Sequence, residues 1–152
     1  MALQFEFESY GDKLISRKLL DLGDRSLDAS PAFRLIADDL RGFERDRFDS
    51  RGYGTWSPLM PSTVAAKASE HLDPRVLHAT LALRDSLTVK DAPDQELIIT
   101  PDFMVFGTKR PYAGFLQRGT RKMVARKPLG FTEPQKVQVL KRLQRFIVTG
   151  RP

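Results

Sequence analysis

The chain has 152 residues, 41% hydrophobic and 29% charged, which suits one domain burying roughly 70% of its unfolded surface. It has no cysteine, excluding disulfides and thiolate metal sites, and no apolar run nears the roughly 18 residues that a membrane helix needs. Its net charge of +6 conceals a split: residues 109–152 carry 12 Lys and Arg against one acid, Glu133, while residues 1–108 carry 13 basic and 18 acidic side chains. A chain polarised this way suits a polyanionic partner or head-to-tail contact between copies, with a solvated helix face as the plain alternative.

In chain order, the opening MALQFEFESYGDK alternates apolar and polar residues and carries acids early, so it reads as a strand over 3–8 rather than a secretory signal. A short helix through Leu14, Ile15, Leu19 and Leu22 follows. Ser30-Pro31 then offers an N-cap with proline at the first helical position. It opens a helix over 31–48 with Phe33, Ile36, Ala37, Leu40 and Phe43 on one stripe. Asp38, Asp39, Arg41, Glu44 and Arg45 take its polar face. Residues 49–61, DSRGYGTWSPLMP, form a long aperiodic loop, a setting that is often functional. Ser62 caps a short helix through Lys67, and Asp73-Pro74 opens a helix over 74–86.

Three strand-like runs (86–92, 95–100 and 103–108) make a meander over 86–108, and KMVAR at 122–126 supplies a fourth strand beyond a basic corner at 109–130. Thr132 and Gln135 form a capping box for a helix over 133–148. The expected class is α+β: one domain over 1–152, with a small antiparallel sheet of about four strands packed against a long N-terminal helix and a C-terminal helix.

Chemistry-bearing patterns are sparse. His71 and His78 are interrupted by Pro74 and lack a third ligand, so no metal is expected. The pairs Asp38/Asp39 and Glu44/Asp46 fall on a polar helix face, where solvated carboxylates are the default. Ser86 has an acidic neighbour, Asp85, but no base nearby in sequence. Neither a cofactor nor a catalytic role is expected, and a small hydrolase using Ser86 or the acid pairs is the enzymatic alternative.

Two surfaces stand out instead. Tyr53, Trp56, Leu59 and Met60 in the long loop are candidate subunit-interface residues, unless the loop folds back over its own core. Arg118, Arg121, Lys122, Arg126 and Lys127 form a basic run able to contact phosphates without reading sequence, or an acidic partner. Within RPYAGFLQRGTRK, Tyr112, Ala113 and Phe115 are expected to pack, with Gly114 and Gly119 relieving the backbone.

The ordered blocks FDSRGYGTWSPLMPSTVAAK, LALRDSL, VFGTKRPYAGFLQRGT and ARKPLGF resemble the phage virion morphogenesis family, the tail completion proteins of Mu-like phages. Its pattern falls on Trp56, Pro58, Leu59, Thr63 and Lys67, then on Leu83, Arg84 and Ser86. It continues through Gly107, Thr108, Tyr112, Ala113 and Gly119 to Ala125, Arg126, Leu129 and Gly130. The likeness spans about residues 30–148. Where the family often has Thr-Gly before the second block, this chain has Leu81, which reads as a helical continuation.

The resemblance implies a non-catalytic virion protein of the tail or neck, built in the host cytoplasm. It would form a homo-oligomeric ring, expected as a hexamer, at the head–tail junction, between tail tube and connector proteins and around passing DNA. The alternatives are another neck, connector or minor tail protein of similar fold, or a nonspecific DNA-binding module. No membrane partner is expected.

Overall fold

A computed structural model describes residues 12–151, and the expected strand over 3–8 lies outside the described residues. Six helices and two strands follow in order: α1 (Asp12–Leu27), α2 (Ser30–Asp49), α3 (Pro61–Ser69), α4 (Ala82–Thr88), β1 (Gln95–Ile99), β2 (Met104–Thr108), α5 (Ala113–Arg118) and α6 (Glu133–Thr149). Helix and strand are mixed, as an α+β class requires, but the sheet has two strands among the described residues, not about four.

α2 is the axis of the fold. Ala32, Ile36, Ala37, Leu40 and Phe48 are buried along it. It packs on α4 and β1 on one side and α6 on the other, so its flanks are covered as well as its apolar stripe. Arg41 and Glu44, expected in solvent, are therefore buried, as is Arg47. Arg41 donates to Asp38 at 2.6 Å and to Gln95 Oε1 at 2.7 Å, tying the helix to the start of β1. Ser30 is not the cap. The Asp28 carboxylate accepts from both the Ser30 hydroxyl (2.5 Å) and backbone N–H (2.9 Å), and the hydroxyl bond, first among its contacts, holds Asp28 below the usual carboxylate range.

α6 begins with the expected capping box, buries Phe146 and is tied to α2 by a two-point Arg142–Asp39 pair at 2.5 and 3.0 Å. α1 is longer than the short helix expected. Its Arg25 donates to the Ile147 and Val148 carbonyls at the end of α6, where the helix dipole favours a cation.

β1 and β2 form an antiparallel hairpin with Gln95 opposite Thr108 and Ile99 opposite Met104. The run 86–92 is not a strand. Leu83 and Leu87, one helical turn apart, both bury in the core, and the Ser86 hydroxyl returns to the Leu83 carbonyl at 2.7 Å. Its apparent alternation thus belongs to the end of α4 and a turn. Residues 74–81 are not helical either: Asp73 accepts from the Arg75 N–H at 2.8 Å, and Leu77 and Leu81 adopt φ of 61° and 60°. Leu81 holds the left-handed conformation a glycine takes without strain, and α4 starts after it. Residues 122–126 offer one bridge, Thr120 to Met123, across a tight turn.

The long loop folds inward. Trp56 is 7% exposed, meets Phe48 edge-on at 5.4 Å and donates its indole N–H to the Lys127 carbonyl at 3.1 Å. Phe48, Trp56, Val76, Leu83 and Leu87 form the core cluster, with Leu59, Phe106, Ala113, Leu116 and Leu129 against it. Gly52 permits the arrangement. Its φ is +68°, and a β-carbon there would stand 2.4 Å from the indole ring. Gly52→Ala is expected to destabilise the protein by about 2 kcal/mol, with a changed Trp56 emission in the native baseline. Urea unfolding followed by tryptophan fluorescence reads both, and an unchanged midpoint would refute the tight packing.

Candidate functional site

A groove of about 840 Å³ lies beside the core. One wall is the segment from Pro58 through Met60 into α3, and the floor is Leu77, Leu81 and Leu83. The other wall is Tyr112, just before α5, and Leu116 of α5, with Met123 and Val124 beyond it. Met60 and Val124 stand 67% and 64% exposed at its mouth. Lys67, Lys122 and Arg126 reach its edge, so an apolar trough has a cationic rim.

The rim cations differ in role. Arg126 donates from Nε to the Ser57 carbonyl and from Nη2 to the Pro58 carbonyl, both at 2.9 Å. Lys67 donates to the Asp73 and Arg75 carbonyls at 2.8 and 2.7 Å, and burial pushes its pKa down while Asp73 pushes it up. These two build the walls. Arg118, Arg121, Lys122 and Lys127 are exposed and face outward.

The four interface candidates separate too. Trp56 belongs to this chain's own core, where its indole already has an apolar pocket and a hydrogen-bond acceptor, so in the folded chain it is not free to anchor a second subunit. Leu59 is half-buried against that core. Tyr53 donates to the Phe43 carbonyl, accepts from Gln135 Nε2 and lies under the Arg47 guanidinium at 5.1 Å. Met60 alone of the four projects freely at the groove mouth.

The other motif residues sit around the same core. Thr63 lines the groove; Ser86 is buried and donates to Thr108 Oγ1 at 2.8 Å. Tyr112 is 39% exposed and Phe115 is 57% exposed, so of the three residues expected to pack there, Ala113 does so. The Phe115 correction follows from α5, a helix in which Ala113 and Leu116 face the core and Phe115 points away. Gly119 has φ +77°, and a β-carbon would lie 2.9 Å from the Ala125 nitrogen; Gly114 is helical and needs no such freedom. Leu129 accepts from Gln117 Nε2 at 2.8 Å.

Sequence reasoning missed a buried ionic knot. The Glu44 carboxylate is fully buried, accepts from the Gly130 N–H at 3.3 Å, and lies 3.1 Å from Arg47 Nε with poor hydrogen-bond alignment. Arg47 also donates to the Gly130 carbonyl. Helical periodicity had put Glu44 in solvent, and no local signal showed that Leu129-Gly130 would cover it. Burial pushes its pKa up to about 7 against the opposing pull of Arg47.

The buried His78 ring donates from Nδ1 to the Val76 carbonyl (2.7 Å) and meets Phe48 edge-on at 5.6 Å, whereas His71 is exposed. Among the described residues no group of three or more His, Asp or Glu is placed to hold a metal ion.

Two predictions follow from these contacts. A raised carboxyl pKa means the folded chain binds the extra proton between pH 4.5 and 7, so Glu44 adds stability as pH falls through that window. Relative to Glu44→Gln, the wild type should gain about 3 kcal/mol between pH 8 and 4.5, read from urea midpoints. Parallel curves for the two proteins would show that Glu44 does not titrate there. Separately, Arg126→Ala should cost about 1–2 kcal/mol through two lost carbonyl partners, while Arg121→Ala stays within about 0.5 kcal/mol. Thermal denaturation separates the wall-building cation from the outward one.

Comparisons with protein-family models, with curated proteins and with solved structures found no match.

Proposed function

We propose that this protein is a structural subunit of a tailed-phage virion, a tail completion or tail terminator protein that assembles as a ring at the head–tail junction. The observation that carries the reading is the unfilled groove, a large apolar trough beside outward-facing cations on a chain whose charge is unequally divided. Such a surface suits heterologous contact between neighbouring copies, the kind of contact that closes rings. The ordered motif blocks support it independently, since they fall on the groove walls and the core that holds them. Ser86, the hydroxyl an enzymatic reading needs, is buried and already engaged by Leu83 and Thr108, which favours a surface role over catalysis.

In this reading the expected ring is a hexamer seated between the tail tube and the connector, in the neck of the virion, and assembled in the host cytoplasm. Arg118, Arg121, Lys122 and Lys127 face the lumen, where DNA passes, or an acidic neighbouring ring. A second reading, a nonspecific DNA-binding module, draws on the same exposed cations; it requires isolated subunits to bind duplex DNA with a steep salt dependence.

Native mass spectrometry and negative-stain microscopy, with and without tail tubes, test the ring. Arg121→Glu with Lys122→Glu should leave the melting temperature unchanged and reduce assembled particles or retained DNA by about tenfold or more. Wild-type particle yield from this variant, or no ring under either condition, would remove the proposal.

A further inference from the structure

α1 meets the rest of the described chain chiefly through α6, on the side that carries half-buried Leu22 and Arg25. Among the described residues its opposite side is uncovered. At 3.6 residues per turn, Ser16, Leu20, Gly23 and Leu27 line up there at spacings of four, three and four, the seam of a two-helix packing. Leu20 is 69% and Leu27 is 75% exposed, and Ile15 and Leu19 widen the apolar surface on one flank. Arg17 and Asp24 occupy the other flank, and among the described residues neither forms an ion pair.

We propose that this face is a two-fold docking surface on which α1 of a second copy of the chain packs antiparallel. The order of side chains selects that partner and that direction. Along the seam the residues run small, large, small, large. An antiparallel copy therefore sets Ser16 against Leu27 and Leu20 against Gly23 of its mate, and the same pairs recur across the two-fold axis. A parallel copy would stack leucine on leucine and leave a void between the glycines.

Charge makes the same choice. Antiparallel packing places each polar flank against itself, reversed, so Arg17 of one copy approaches Asp24 of the other, twice. Parallel packing would set that flank against Leu19 and Ser26 instead.

A two-fold contact cannot itself close a ring. It joins subunits, or whole rings, in pairs, and it stands independently of the ring reading.

The absence of cysteine gives a clean test. Leu20 is exposed, and a β-carbon at Gly23 meets nothing within 4 Å, so Leu20→Cys and Gly23→Cys should both fold. Mixed in equal amounts and oxidised at high protein concentration, the two variants are expected to form disulfides mainly between unlike chains, distinguished by mass. Disulfides mainly between two Leu20→Cys chains would mean parallel packing. Linkage only to a Val124→Cys chain would mean that α1 seats in the groove. Either result, or no disulfide at all, overturns the proposal.

Leu20→Glu with Leu27→Glu should weaken self-association about a hundredfold without shifting the melting temperature. Arg17→Asp and Asp24→Arg should each weaken it roughly fivefold, and combining them should restore it. A lost ring with the disulfide intact counts against the ring alone; an intact ring without the disulfide counts against this contact alone.

Discussion

Trp56 stands edge-on to Phe48 with its indole N–H on the Lys127 carbonyl, so the end of α2, the loop that follows it and a segment some seventy residues further on meet at that one side chain. α2 supplies Phe48, the 49–61 loop supplies the indole, and the 122–130 segment supplies the acceptor. A buried tryptophan of this kind is worth about 3–5 kcal/mol against alanine, a large share of the stability of a small domain. Its consequence for function is geometric. The loop and the 122–130 segment carry opposite walls of the groove, and Arg126 adds a second tie between them through the Ser57 and Pro58 carbonyls. The trough is therefore a fixed feature of the fold and not the chance gap between two mobile loops.

Charge is used in two ways that the sequence does not distinguish. Arg41, Arg47 and Arg126 spend their donors inside the protein, on Gln95, Gly130 and the 57–58 carbonyls. Arg142 and Arg110 are matched by Asp39 and Asp94 at 2.5 Å each. What remains outward around the groove is a smaller set, Arg118, Arg121, Lys122 and Lys127. The basic end of the chain is thus partly a fastening system, and only the remainder is free to attract a polyanion or an acidic neighbour.

The groove and the outer face of α1 have different symmetries. The groove is concave and bounded by cations, and nothing in its own lining matches it, so it calls for an unlike surface. The outer face of α1 matches itself when reversed, in both side-chain size and charge. If both proposed contacts hold, head-to-tail and paired contacts would coexist, which is a route to stacked assemblies.

Much of this was legible in the residues themselves. The α2 stripe, the α6 capping box, the hairpin around Pro101-Asp102 and the uneven charge all follow from local rules: helical spacing, side-chain caps, turn formers and composition. The errors arose where local patterns were ambiguous. Residues 86–92 alternate like a strand, yet Leu83 and Leu87 pair across a helical turn once a core lies beneath them. Asp73-Pro74 looked like a helix start, yet Lys67 captures the Asp73 and Arg75 carbonyls and Leu77 turns left-handed.

Burial of Glu44, enclosure of Trp56 and convergence of residues 58–60, 77–83 and 112–126 on one groove were decided by tertiary structure alone. Spacing along a chain fixes which side chains share a face. Which faces stay wet depends on segments dozens of residues away, and only packing brings those together.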